Sequence, residues 1–83
     1  MVEVRIYATL SEIAGRKRLT VEGVKTVGEL LDELYRRFPA FKKELEGRRM
    51  ILVNGHNVEH LNGLETPVGE DDVVSIFPPA GGG

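Results

Sequence analysis

Residues 2–8 alternate: Val2, Val4, Ile6 and Ala8 fall on one side of an extended chain, and Glu3, Arg5 and Tyr7 on the other. That two-residue period predicts a half-buried strand. Gly15-Arg16-Lys17 reads as a turn and residues 18–22 as a second short strand, so the chain is expected to open with a loose hairpin. The period then changes. Thr26 and Glu29 have capping-box spacing, with the hydroxyl placed to accept from a first-turn N–H and the carboxylate to reach back. Behind them Val27, Leu30, Leu31, Leu34 and Phe38 form one apolar stripe at helical spacing. Pro39 disfavours helical geometry at Phe38 and should end the helix there. Phe41 and Leu45, four apart, predict a second short helical turn closed by Gly47. Strand character returns in residues 50–53, which run into the turn-forming pair Asn54-Gly55, and a short strand is expected over 57–59. Residues 61–68 read as a looping stretch. Residues 73–77 are the last strand, stopped by Pro78 and Pro79, which cannot donate to a ladder.

The predicted order is strand, strand, helix, strand, strand, strand. One main helix covers one face of a sheet, and the first and last strands can lie parallel through a right-handed crossover. The expected fold class is α+β, a roll with a mixed sheet. At 83 residues it is one small domain, residues 1–77, followed by an extended tail over 78–83.

The alternation also predicts an open face. If Val4, Ile6, Val74 and Ile76 face the helix, the side without a helix carries Tyr7, Met50, Leu52 and Phe77. An apolar cluster there is a candidate partner surface.

Composition narrows the function. Hydrophobic residues are 41% and charged residues 29%, as in an ordinary globular domain. Cysteine is absent, which removes disulfides, thiolate nucleophiles and cysteine metal sites. Without a membrane-length apolar run or a leader pattern, a cytoplasmic protein is expected. The net charge of −2 argues against nucleic acid as a partner. All 11 Lys and Arg precede residue 50, whereas Glu59, Glu65, Glu70, Asp71 and Asp72 follow it, so the last third should form an acidic surface favouring a basic partner. His56 and His60 flank a short strand and are not expected to bind metal. Glu70-Asp71-Asp72 reads as a solvated turn that could add to the acidic surface. Arg16-Lys17-Arg18 and the pairs Arg36/Arg37, Lys42/Lys43 and Arg48/Arg49 read as solvated faces. Ser11 and Ser75 have no histidine–acid constellation, and no catalytic site of the chain's own is expected.

The end of the chain, Pro78-Pro79-Ala80-Gly81-Gly82-Gly83, is the feature with chemistry in it. At a glycine usage of about 7%, three terminal glycines arise by chance in roughly 0.03% of chains. Two prolines hold a segment extended, and glycines without Cβ atoms can thread a narrow channel. The reactive group at the tip is the Gly83 carboxylate, a poor electrophile that must be activated, usually by adenylation. The tail is built to be acted upon.

These residues carry a resemblance. Val4-Arg5-Ile6-Tyr7-Ala8 with Glu12 and Gly15, the leucine-rich helix, Val53-Asn54-Gly55, the acidic turn at 69–72 and Ile76-Phe77-Pro78-Pro79 before a terminal Gly-Gly resemble the MoaD family, the ubiquitin-like small subunits of molybdopterin synthase within the MoaD/ThiS superfamily. The resemblance covers essentially the whole chain, and residues 61–68 are similar to the archaeal and thermophilic branch; Gly81 stands where a larger residue is expected. It implies a β-grasp (ubiquitin-like) fold. It further implies that a MoeB-like enzyme, using ATP and magnesium, adenylates Gly83, and that a sulfur donor converts it to a thiocarboxylate. The tail, with Gly81, Gly82 and Gly83, then enters a MoaE-like large subunit in a heterotetramer and gives sulfur to cyclic pyranopterin monophosphate in molybdenum cofactor biosynthesis. Partners would dock on Tyr7, Met50, Leu52, Phe77, Pro78 and Pro79. The chain itself would bind no cofactor. The alternatives are a ubiquitin-like protein modifier, joined to lysines through Gly83, and a sulfur carrier for tRNA or thiamine thiolation.

Overall fold

The computed structural model describes residues 1–79. Along them run β1 (Val2–Ile6), α1 (Thr9–Ala14), β2 (Arg18–Val21), α2 (Val27–Arg37), α3 (Ala40–Glu44), β3 (Met50–Val53), β4 (His56–Asn57), two single 3-10 turns (Val58–His60 and Gly63–Glu65) and β5 (Val73–Phe77). The strands form one sheet in the order β2-β1-β5-β3-β4. β1 and β5 are parallel, with Val4 opposite Val74 and Ile6 opposite Ile76, and the other pairings are antiparallel. The last strand is thus central in the sheet. This is the β-grasp arrangement, an α+β mixed sheet gripping one main helix.

The two-residue period does what it should. Val2, Val4, Ile6, Leu19, Val21, Ile51, Val53, Val74 and Ile76 are buried on the inner face. Val27, Leu30, Leu31 and Leu34 of α2 and Phe41 of α3 join them in one core, and Phe38 stacks on Phe41 with ring centroids 4.8 Å apart. Each fully buried Leu, Ile or Phe contributes about 1.5–3 kcal/mol over an exposed one. At the start of α2 the Thr26 hydroxyl accepts from Glu29 N–H (3.1 Å), and the Glu29 carboxylate accepts from Lys25 N–H (2.9 Å). The reciprocal cap therefore reaches one residue further back than capping-box spacing implies. The Phe38 N–H donates to Leu34 C=O at 2.7 Å, closing the helix before Pro39.

Three local expectations are corrected. β1 stops at Ile6, because Ala8 takes φ 53° and ψ −130°, a region that strains an L-residue, and Ala8 is exposed instead of sharing the buried face. The opening hairpin is interrupted by α1, whose only buried residue is Leu10 and which ends at left-handed Gly15. The strand expected over 57–59 is instead His56–Asn57, because Asn57 Oδ1 accepts from Glu59 N–H (2.9 Å) and turns the chain into a 3-10 turn. Residues 61–68 do more than loop. Val27 N–H donates to Thr66 C=O (3.0 Å) and Val68 N–H to Lys25 C=O (2.9 Å), which clamps the start of α2.

On the outer side of α2, Glu33 accepts from Arg36 (Nη2, 2.6 Å) and Arg37 (Nε, 2.8 Å), and these hydrogen bonds hold its carboxyl down at about 2, from an ordinary 4.5. A carboxyl depressed in the folded state stabilises above its unfolded pKa and loses that contribution as pH falls through the folded one. Glu33→Gln is therefore expected to be less stable than the parent at neutral pH. The two chains should converge as pH drops from 4.5 towards 2, read from urea midpoints across that range.

Candidate functional site

β5 carries the chain out of the fold, so the site is built around its end. Its neighbours in register are the end of β1 and the start of β3, with Met50 directly opposite Phe77. Tyr7, one residue past β1, stacks on Phe77 with centroids 4.2 Å apart and planes 7° off parallel. Tyr7, Phe77 and Met50 thus form one row across the helix-free face, and Tyr7 and Met50 are 39% and 41% exposed. Leu52, half-buried, sits one row further from the tail, opposite Ser75. The structure brings together all four residues expected on this face. A stacked pair with Tyr7 exposed and Phe77 half-buried, beside exposed Met50, is an apolar patch suited to being covered.

The tail begins beside them. Pro78 and Pro79 are half-buried, and Pro79 Cγ lies 4.0 Å from where a Cβ on Gly47 would stand. Gly47, at φ +84°, lets the turn before β3 pass close to the departing chain. Gly81, Gly82 and Gly83 lie outside the described residues.

The acidic turn at 70–72 is not part of this site, whereas Glu59 shares a groove with Met50. Glu70, Asp71 and Asp72 precede β5 and so lie at the end of the sheet opposite Phe77. Asp72 is a structural group: it accepts from Asn54 Nδ2 (3.0 Å) and Gly69 N–H (2.8 Å), which hold its carboxyl below the usual range. Asn54 Oδ1 in turn accepts from Val73 N–H (2.9 Å), so this clasp sets the start of β5. His56 and His60 are exposed on β4 and on the following turn.

What surrounds the apolar row is basic. Arg5 stands directly opposite Arg18, and both are exposed on the open face. Lys17 adjoins them, and its C=O accepts from Ile6 N–H (3.0 Å). Reading Arg16-Lys17-Arg18 as a plain solvated face missed this juxtaposition. The signal was Arg5 in the opposing strand, hidden because α1 lies between the two and the register could not be counted. No helix among the described residues is long and apolar enough to cross a membrane.

Known proteins share this architecture. The Haloferax volcanii small archaeal modifier protein 3 is 33% identical over 99% of this chain and 98% of its own length. The solution structure of small archaeal modifier protein 1 from Methanosarcina acetivorans superposes with a TM-score of 0.86 at 37% identity, covering 99% of this chain and 95% of that one. A chain of the Amycolatopsis orientalis BexX/CysO complex superposes at 0.83 with 29% identity, over the whole of both chains. The ThiS family matches residues 4–83, from β1 through the terminal glycines, and the chain belongs to that family.

Proposed function

We propose that this chain is a ubiquitin-like small modifier and sulfur carrier that works through the terminal carboxylate of Gly83. The observation that supports it most is end-to-end similarity to small archaeal modifier proteins in a chain that closes with three glycines. In the first step a Gly83 carboxylate oxygen attacks the α-phosphorus of ATP on a MoeB-like adenylating enzyme, which also holds the magnesium. Pyrophosphate leaves and an acyl-adenylate forms. A lysine amine on a target protein then attacks the acyl carbon, AMP leaves, a proton is lost and an isopeptide bond results. With hydrosulfide as nucleophile the same acyl-adenylate gives a thiocarboxylate and AMP. Tethering the acyl group to a docked domain raises its effective concentration at the acceptor.

The second reading is the small subunit of molybdopterin synthase, favoured by the Ile76-Phe77-Pro78-Pro79 ending and the stacked Tyr7–Phe77 pair beside it. There the thiocarboxylate would pass its sulfur to cyclic pyranopterin monophosphate in a MoaE-like subunit. Thiamine or tRNA thiolation would use the same intermediate. In every version the partner docks on Tyr7, Met50, Leu52 and Phe77, with Pro78 and Pro79 leading the glycines into its active site. Phe77→Ala is expected to weaken binding to the adenylating enzyme at least tenfold. Its cost to the fold is about 0.5–1.5 kcal/mol for the lost stack plus the burial of a half-exposed ring, which leaves the domain folded. Calorimetric titration beside circular dichroism checks both.

The two readings separate by product. The chain is incubated with its organism's adenylating enzyme, Mg-ATP and a protein extract, and in parallel with hydrosulfide, a MoaE-like subunit and the pterin. Peptides carrying Gly83 on a lysine side chain are the expected result. Molybdopterin without conjugates would transfer the protein to the second reading, and neither product would remove both.

A further inference from the structure

The open face contains an arrangement that folding alone disfavours. Arg5 and Arg18 are directly opposite in an antiparallel pair, and like charges so placed destabilise a sheet. Glu3 relieves only one of them, accepting from Arg5 Nε at 2.7 Å. Among the described residues no carboxylate lies within ion-pair distance of Arg18 or Lys17. These three cations, with Tyr7 and Ser11, line a groove of about 410 Å³. The groove borders the stacked Tyr7–Phe77 pair and lies at the tail end of the sheet, whereas the acidic turn lies at the far end. Arg5 also neighbours Ser75, so Arg5 and Arg18 share one cross-strand row with Ser75 and Leu52, directly behind the apolar row, and Lys17 lies next to that row, level with Ile6.

We infer that the groove lined by Arg5, Lys17 and Arg18 receives an acidic segment of the partner protein, so that carboxylates seat on the two guanidinium groups while apolar side chains cover Tyr7 and Phe77. Two guanidinium forks about 5 Å apart at Cβ can each bind a carboxylate through paired N–H donors, and the bound anion removes the repulsion between them. Mutual Arg5–Arg18 repulsion is thus tolerated in the free chain and relieved on docking. A basic partner was expected at the acidic turn, which lies at the far end of the sheet; the surface beside the tail is positive and calls for the opposite charge. The inference rests on the docking-face reading and adds the chemistry of what docks. It does not depend on Gly83.

The test is an amide NMR titration of the full chain with hexaglutamate, with inorganic pyrophosphate and hexaglutamine as comparisons. Hexaglutamate is expected to move the amides of Arg5, Lys17 and Arg18, with an affinity that falls as salt is raised. Arg18→Thr should weaken that binding at least tenfold and raise the melting temperature, while Arg18→Lys, which keeps the charge and loses the paired N–H donors, should fall between the two. A merely solvated patch would give the stability gain without the binding loss. Unchanged binding in Arg18→Thr overturns the inference, as do shifts centred on Arg48 and Arg49, tighter binding of pyrophosphate at the same amides, or the same shifts on concentrating the protein alone. A chain lacking residues 81–83, titrated in parallel, should bind hexaglutamate normally. Failed adenylation with intact peptide binding would therefore strike the tail reading and leave this one standing.

Discussion

Removing Gly83 is expected to slow adenylation at least a hundredfold, although the shortened chain still ends in two glycines. Gly82 then supplies a carboxylate of the same chemistry and the same lack of hindrance. Only position changes: the reactive carbon is drawn back by roughly 3.3–3.6 Å, one residue of extended chain. A misplacement of about 1 Å can cost 10²-fold when reaction depends on a near-attack geometry. Under the proposed function, docking on Tyr7, Met50, Leu52 and Phe77 would fix where the tail starts, and Pro78 and Pro79 its direction, so sliding would not recover the loss. Enzyme-dependent ATP–pyrophosphate exchange reads the effect. Binding of the shortened chain to the enzyme should remain close to that of the parent, because the docking face is untouched. Exchange at the parent rate would mean that the tail's composition matters and its length does not.

The second large effect is expected in the core. Phe41 is fully buried and stacks on Phe38 where α3 meets the end of α2. Phe41→Ala removes the largest buried side chain and should cost about 3–5 kcal/mol. A domain of 83 residues has about 4–12 kcal/mol in total, so the variant should be largely unfolded under mild heating. Phe41→Leu, closer in volume, should lose much less. Urea unfolding followed by circular dichroism measures both. Adenylation should fall with the folded fraction even though residues 78–83 are unaltered, because the proposed docking face exists only in the folded domain.

Much of this was legible in the chain. Strand positions such as Val2, Val4 and Ile6 declare themselves because side chains in a strand alternate and one face is buried. The open-face row of Tyr7, Met50 and Phe77 follows from the same rule, since whatever opposes the buried set must face outward. α2 was readable from Thr26, Glu29 and its leucines because cap and stripe agree. What was hidden depends on tertiary context. Leu10 is the only buried residue of α1, and six residues with one anchor give no period to detect. Its one strong signal was Gly15, a left-handed helix end that serves equally as a turn. Asn57 has a side chain that competes with the ladder for backbone hydrogen bonds, and the competition was settled by the neighbouring Val58, which is buried. The Arg5–Arg18 pairing required the register of two strands separated by a helix. The acidic third was legible as a run of charge but not as a place, because β5 sets Asp72 and Phe77 at opposite ends of one strand.

Fragmentation mass spectrometry of the intact chain tests the central idea most directly, after incubation with the adenylating enzyme, Mg-ATP and hydrosulfide. One oxygen should be replaced by sulfur, on Gly83 alone, and a chain made with a carboxyl-terminal amide should stay unmodified. Sulfur or adenylate found elsewhere, or a full chain that emerges unchanged beside an enzyme active on another carrier, would show that Gly83 is not the group this protein was built to present.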